Sequence, residues 1–273
     1  MIRQPAVAGQ FYNASPEALA AEVAQYTTGT VAPQPVIAIV SPHAGLMYSG
    51  HVAGAVYARV TVPDTVILIG PNHTGMGPPV SVYPHGSWLI PGGSVPVDRD
   101  VTDAVLAQCA QAKADTSAHQ YEHCIEVQLP FLRQARNDVR IVPIVLGHVP
   151  LDICRELGEC LARIILGRSA PYAGAGRPLL VASTDMTHYE PDQIVRTKDR
   201  HAITAIEHLD PTALSAAVRQ HRITMCGFAA TVTVLHAARA LGATAGTLVR
   251  YATSGDISGD RDRVVGYAGL AIA

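Results

Sequence analysis

Two histidines in this 273-residue chain stand just past buried apolar runs. Val66-Ile67-Leu68-Ile69 halts at Gly70-Pro71 and His73 follows; Val36-Ile37-Ala38-Ile39-Val40 halts at Ser41-Pro42 and His43 follows. Such runs read as strands buried on both faces, stopped by glycine and proline. Ligands of open α/β sheets bind outside the carboxyl ends of strands, and adjacent strands lie only ~4.8 Å apart. A pair of imidazoles delivered this way suits two metal ligands, whereas a lone loop histidine more often satisfies local backbone groups. A third run, 178–182, leads into Ser183-Thr184-Asp185-Met186-Thr187-His188, adding a carboxylate and an imidazole. Glu122 and His123 at one helix start, and Cys226 before another, bring acid, base and thiol toward the same rim.

Those residues need a sheet whose strands end together. Ser15-Pro16-Glu17 opens a helix to about 26, with serine as cap, proline in the first turn and an acid beside them. Ser49 is expected to cap a helix through 60, with Gly50 and Gly54 packing closely on the sheet, so that strands 36–40 and 66–69 form a β-α-β unit. Gly- and Pro-rich 75–97 reads as a hairpin insertion, and Asp98 starts a helix over 99–112. Further strands are expected at 140–146, 178–182, 248–251 and 264–272. Further helices fall at 150–166, 191–208, 211–220 and 228–241. The pattern is α/β: a three-layer α/β/α sandwich with a mostly parallel central sheet, in a single domain over 1–273.

Composition narrows the function classes. An apolar fraction of 48% with only 15% charged residues describes a compact protein. A net charge of −2 without a basic block argues against nucleic acid as the partner. The five cysteines, Cys109, Cys124, Cys154, Cys160 and Cys226, form no C-x-x-C pair, and their odd number speaks against a disulfide framework. Four of them are expected to pack as small hydrophobes. With no signal-peptide core and no apolar run near the ~20 residues of a membrane helix, a cytoplasmic location away from membranes is expected. No phosphate-binding loop is present, Gly174-Ala175-Gly176 being too short a match.

The motifs S-P-H-A-G-L-M-Y-S-G (41–50), G-P-N-H-T-G (70–75), E-H-C-I-E-V-Q-L-P-F (122–131), S-T-D-M-T-H-Y (183–189), M-C-G (225–227) and Y-A-T-S-G-D (251–256), with V-A-G-Q-F-Y (7–12), together resemble the Memo family. That family is similar in fold to the catalytic subunit of class III extradiol dioxygenases, which use non-haem iron. The resemblance implies His43, His73 and Cys226 as metal ligands, with Asp185 and His188 close by. It also implies a setting with an AMMECR-type protein and a radical-SAM enzyme as partners. Dioxygenases of that class use two histidines and one carboxylate. A thiol in the third place departs from that pattern and suits copper or zinc as well as iron(II), with Glu122 or Asp185 as the alternative carboxylate.

The function expected is a non-haem iron (or copper) redox enzyme acting with dioxygen on a small aromatic or phenolic substrate. His188, oriented by Asp185, would move the proton, and His123 would assist. The alternative is a non-catalytic module whose cleft binds a peptide or protein; a hydrolase using zinc-activated water is a weaker third.

Overall fold

The computed structural model describes residues 1–29, 31–167 and 176–273. Gly174 and Ala175 of the dismissed phosphate-loop match lie outside them. In chain order the elements are β1 (Ile2–Arg3), α1 (Pro16–Tyr26), β2 (Ala38–Ser41), α2 (Leu46–Tyr57), β3 (Thr65–Pro71), β4 (Val80–Val82), β5 (Ser87–Ile90) and β6 (Gly93–Pro96). Next come α3 (Arg99–Gln108), β7 (Lys113–Ala114), α4 (Ser117–Gln120), a 3-10 turn (Glu126–Gln128), α5 (Leu129–Ala135), β8 (Arg140–Leu146) and α6 (Leu151–Gly167). The chain closes with β9 (Leu179–Ser183), β10 (His188–Glu190), α7 (Asp192–Glu207), α8 (Pro211–His221), α9 (Phe228–Ala240), β11 (Gly246–Thr253), α10 (Gly255–Ser258) and β12 (Val264–Ile272).

The main sheet runs β10-β12-β2-β9-β3-β8-β4-β7, with β11 on β12. Its centre, β2-β9-β3-β8, is parallel, while β12 and β4 pair antiparallel on either side. Strand period two then builds two cores. In β3, Ile67 and Ile69 join the layer beneath α3, α6, α7, α8 and α9, whereas Val66 and Leu68 join the layer beneath α1, α2 and α5. Both faces are covered, which is why the central strands read as unbroken apolar runs rather than alternating ones.

The two histidine-bearing strands are not neighbours. β9 lies between β2 and β3, pairing with both, so the strands stand roughly two ~4.8 Å spacings apart and the loops beyond them must converge over the end of β9. Parallelism makes this possible. His43, His73 and Asp185 each come two residues after their strand, on one rim.

Three local expectations are corrected. The second helix starts at Leu46 with Gly45 as its cap, and the Ser49 hydroxyl donates instead to the Ala44 carbonyl at 2.9 Å. Gly50 and Gly54 face α1, not the sheet: a Cβ would lie 2.5 Å from the Tyr26 ring at Gly50 and 2.4 Å from the Tyr26 carbonyl oxygen at Gly54. Cys109 and Cys160 are joined in a disulfide between the C-cap of α3 and α6, in the apolar layer. Fifty-one residues separate them, and nothing in their spacing announces the pair. The odd cysteine count spoke against a disulfide framework, yet one bridge is present. Among the described residues no helix is long and apolar enough to cross a membrane.

The amino-terminal segment is tied down by a buried ion pair. Arg3 meets Glu126 at 2.5 Å, both side chains almost without solvent contact. Arg3 also donates to the His119 and Glu122 carbonyls at 2.8 and 2.6 Å and lies over the Trp88 ring. Glu126 accepts from the Ala6 and Val7 amides and from the Tyr12 hydroxyl. Removing one partner of such a pair leaves an uncompensated buried charge. We expect Glu126→Ala to lower unfolding free energy by about 3–5 kcal/mol, read as a lower urea midpoint. Trp88, the single tryptophan, should report the same change in its native-state emission. An unchanged midpoint would show that the pair does not brace the fold.

Candidate metal centre

His43 is buried at the end of β2 and held from three directions. Its amide donates to Asp185 Oδ1 at 2.8 Å, its Nδ1 lies 2.9 Å from Ser183 Oγ, and its Nε2 lies 3.3 Å from Cys226 Sγ. The Ser183 hydroxyl has one proton, which goes to the Cys124 carbonyl at 2.6 Å, and it accepts from Gln128 Nε2 at 2.9 Å. It therefore accepts from His43 as well, which puts the imidazole proton on Nδ1 and leaves Nε2 as a lone pair. Burial, reinforced by the facing His73, pulls His43 down to about 3, so the ring is neutral at ordinary pH.

His73 reaches the same tautomer by a different route. Its Nδ1 lies 2.8 Å from Glu122 Oε1 and its amide donates to Glu122 Oε2 at 2.5 Å. A carboxylate only accepts, so Nδ1 carries the proton and Nε2 is free. Orientation of a ligating histidine by a carboxylate on its other nitrogen is the usual arrangement at metal sites. Burial lowers the basicity of His73, but the bond to Glu122 and its charge outweigh that and raise it overall. Burial pushes Glu122 up, yet its bond from His73, that ring's charge and the Cys124 amide hold it at about 2.

His123 completes the group. Glu122 and His123 sit in the turn between α4 and the 3-10 turn, not in the first turn of a helix as expected. The buried Glu122 carboxylate accepts from the His123 and Cys124 amides at 2.9 and 3.0 Å and so fixes that turn. His123 stacks on His73 with ring centroids 4.6 Å apart and 17° between planes; His43 stands edge-on to both at 5.4 Å. One nitrogen from each of His43, His73 and His123 lies within 4.8 Å of the others, and no other such donor group occurs among the described residues. Burial, then His43, lowers His123 to about 4. Three imidazoles converging in this way fit a first-row transition ion, His73 giving up any second proton when it binds.

The remaining expected residues surround this group. Cys226 is at the start of α9, its Sγ taking the Asp185 amide at 3.2 Å. Gly227 makes that approach possible, since a Cβ there would lie 2.3 Å from the Ser183 carbonyl oxygen. Burial, then Asp185, pushes the Cys226 thiol up. The Cys226 thiol has two acceptors in reach, His43 Nε2 at 3.3 Å and the Asp185 carbonyl at 3.7 Å. Burial likewise raises Asp185, whose Oδ1 is occupied by the His43 amide. His188 is oriented by Thr224 rather than by Asp185: its amide donates to Thr224 Oγ1 at 2.7 Å and its Nδ1 to the Thr224 carbonyl at 2.9 Å. The carbonyl cannot donate, so His188 Nε2 is the unprotonated nitrogen. All six residues, His43, His73, His123, Asp185, His188 and Cys226, line one cleft of about 820 Å³, walled also by Phe11, Tyr48 and Tyr267.

Ser183, Gln128, Arg3 and Glu126 were not singled out from the sequence. Gln128 donates to Ser183 and to the Pro42 carbonyl, and its Oε1 takes the Tyr57 hydroxyl at 3.0 Å. A glutamine and a glutamate inside the apolar stretch 125–132 are the one available signal, because such groups are buried only with partners.

A parallel-centred α/β sandwich whose loops past β2 and β3 converge two histidines over the end of β9 is thus the class that fold and site define. Comparison of the whole chain gives the family. Residues 3–271 match the Memo model, described as Memo-like protein. The chain is 40% identical over 272 residues to a MEMO1 family protein of Aquifex aeolicus, covering 98% of each. It is 39% identical over 286 residues to one from Methanopyrus kandleri, covering 99% of this chain and 98% of the relative. With a Methanosarcina mazei member the identity is 40% over 273 residues, covering 99% of each. The chain belongs to the Memo family.

The lowered imidazoles set a pH dependence. His43, His119 and His123 have folded values of about 3, 3 and 4 against an ordinary 6.5. Between those limits the unfolded chain binds more protons, so stability rises with pH. His73, raised, acts oppositely, contributing stability below about 6.5 that is lost as pH climbs through its folded value. His51 and His236 are lowered too, while Asp185 and Asp199, raised, side with His73; five lowered imidazoles predict on balance that the metal-free protein loses stability as pH falls from about 6.5 toward 3. Urea midpoints measured across that window check it, and a flat profile would contradict buried neutral imidazoles.

Proposed function

We propose that this Memo family protein is a metal-dependent oxidoreductase acting with dioxygen on a small phenolic compound bound in the cleft. The observation that carries the reading is the convergence of His43, His73 and His123 within 4.8 Å, two of them with their tautomers set so that Nε2 is free. Iron(II) is the ion preferred here, with copper and zinc as alternatives that accept the same imidazoles. When bound, such an ion supplies redox chemistry and a Lewis acid for a phenolate oxygen.

The chain's own groups do the rest. His188, with its proton fixed on Nδ1 by Thr224, presents Nε2 to take the proton of a substrate hydroxyl. Phe11, Tyr48 and Tyr267 supply an apolar wall for an aromatic ring. Of the carboxylates first considered, Glu122 accepts from His73, His123 and Cys124 and Asp185 Oδ1 from His43, which favours His123 over either as the third ligand. Cys226 contributes beside His43 rather than in place of His123.

A second reading has one observation behind it. Met47 and Tyr189 line the same cleft and are 58% and 64% exposed, which suits a peptide or protein as ligand. An AMMECR-type protein and a radical-SAM enzyme are the partners to try first.

The test is elemental analysis of protein purified without tag and without oxygen, followed by oxygen uptake with phenolic substrates. We expect His43→Ala, His73→Ala and His123→Ala each to abolish stoichiometric metal, and Glu122→Gln to weaken affinity by roughly 10–100-fold. Cys226→Ser should retain metal more fully than any of them. Full metal in His123→Ala with loss in Cys226→Ser would move the site to His43, His73 and Cys226. His188→Ala should keep its metal and lose turnover. Wild-type protein that takes up no metal would leave only the binding reading.

A further inference from the structure

Gln128 closes the 3-10 turn that follows His123, has no solvent contact, and spends every polar atom of its amide on a protein partner. Its Nε2 donates one hydrogen to the Pro42 carbonyl and the other to Ser183 Oγ, both at 2.9 Å, while Oε1 accepts from the Tyr57 hydroxyl at 3.0 Å. Only one orientation of the amide works. A carbonyl cannot donate, so the Pro42 oxygen must face the NH2 group, and the flipped amide would set oxygen against oxygen. Leaving a buried donor or acceptor unpaired costs free energy, so these contacts are not readily exchanged for others.

The groups that Gln128 holds belong to the metal centre. β2 pairs with β9 as far as Ser41 opposite Ser183, and His43 stands two residues past that last pair. Beyond it the loop is held by side chains: Gln128 on the Pro42 carbonyl, Asp185 on the His43 amide at 2.8 Å, and Ser183 Oγ on His43 Nδ1 at 2.9 Å. Ser183 gives its own proton to the carbonyl of Cys124, the residue after His123, at 2.6 Å. One amide and one hydroxyl thus join the β2 loop, the end of β9 and the turn that carries His123. Glu122 makes the corresponding join between His73 and that same turn. We propose that Gln128 is the positioning residue for His43. Through Pro42 it sets where the loop stands, and through Ser183 it sets how the ring faces, so that Nε2 waits beside His73 and His123 before an ion arrives. This role rests on the three-histidine reading of the cleft.

The experiment compares full-length wild type with Gln128→Met, which fills the glutamine's volume without its donors, and with Ser183→Ala. Nitrogen-15 spectra of the metal-free proteins report which ring nitrogen of His43 carries the proton, its signals being assigned by their absence from His43→Gln. Zinc affinity is read by competition with a chromophoric chelator. Wild type should show the proton on Nδ1. Ser183→Ala should lose that fixed tautomer, whereas Gln128→Met should keep it, because the Cys124 carbonyl still takes the serine proton, but with His43 signals shifted and broadened as the loop is untied. Both variants should bind zinc roughly 10–100-fold more weakly. Leu161→Ala, a core deletion in the layer on the other face of the sheet, should lose stability yet bind zinc as wild type does. Should Gln128→Met fail to fold, Ser183→Ala, which removes a single oxygen, carries the same two readouts. Spectra that change as expected in protein that takes no zinc sink the metal reading and leave the positioning of His43 standing. A wild-type proton on Nε2, His43 signals unmoved in both variants, zinc affinity kept in Gln128→Met, or zinc affinity lost equally in Leu161→Ala overturns the proposal.

Discussion

A carboxylate removed from water must fill its lone pairs from protein donors, and the way Glu122 does so shapes the histidine cluster. Its two oxygens take the His73 ring, the His73 amide and the amides of His123 and Cys124. One side chain from the 122–125 turn thereby sets the ring orientation of the β3 loop and the backbone of its own turn. Without it, the two loops that supply His73 and His123 would have no shared reference. The same bond has two consequences that pull apart. It makes His73 a better donor to an ion and also a better base toward a proton. His43, buried against Ser183, is disfavoured as a cation and takes no such proton near neutrality.

Glu122 is itself held by something remote. Arg3 donates to the Glu122 carbonyl while paired with Glu126, so the first residues of the chain clamp the 119–126 segment from behind. The disulfide between Cys109 and Cys160 ties α3 to α6 in the layer on the other side of the sheet. The rim that carries the histidines is therefore fastened to both layers: to one through the 122–128 segment, to the other through α9, whose start delivers Cys226.

Much of this frame was legible because it depends on local, repeated signals. Unbroken apolar runs announced β3, β8 and β9, and Ser15 and Asp98 announced helices that they do cap through their side chains. What was not legible is pairing across the chain. No periodicity tells that β9 enters between β2 and β3, that Arg3 reaches Glu126, or that Cys109 reaches Cys160. The Ser49 cap failed for a different reason. A serine can cap, but Gly45 comes earlier and its neighbour Leu46 already gives its amide to the Phe11 carbonyl, so the helix had begun before Ser49 was reached.

The candidate site shows the same division. His43 and His73 could be paired from sequence because each follows a strand; His123 could not, because a turn places it and only a buried acid beside it explains why. Cys226 was favoured as a ligand by resemblance, and its position beside His43 is real. Yet its Sγ lies 3.3 Å from the very nitrogen that His43 would offer to an ion. It competes for that lone pair while His123 offers its own. The choice between three imidazoles and two imidazoles with a thiol then turns on the Cys226 proton, which burial and the neighbouring Asp185 hold more tightly than usual.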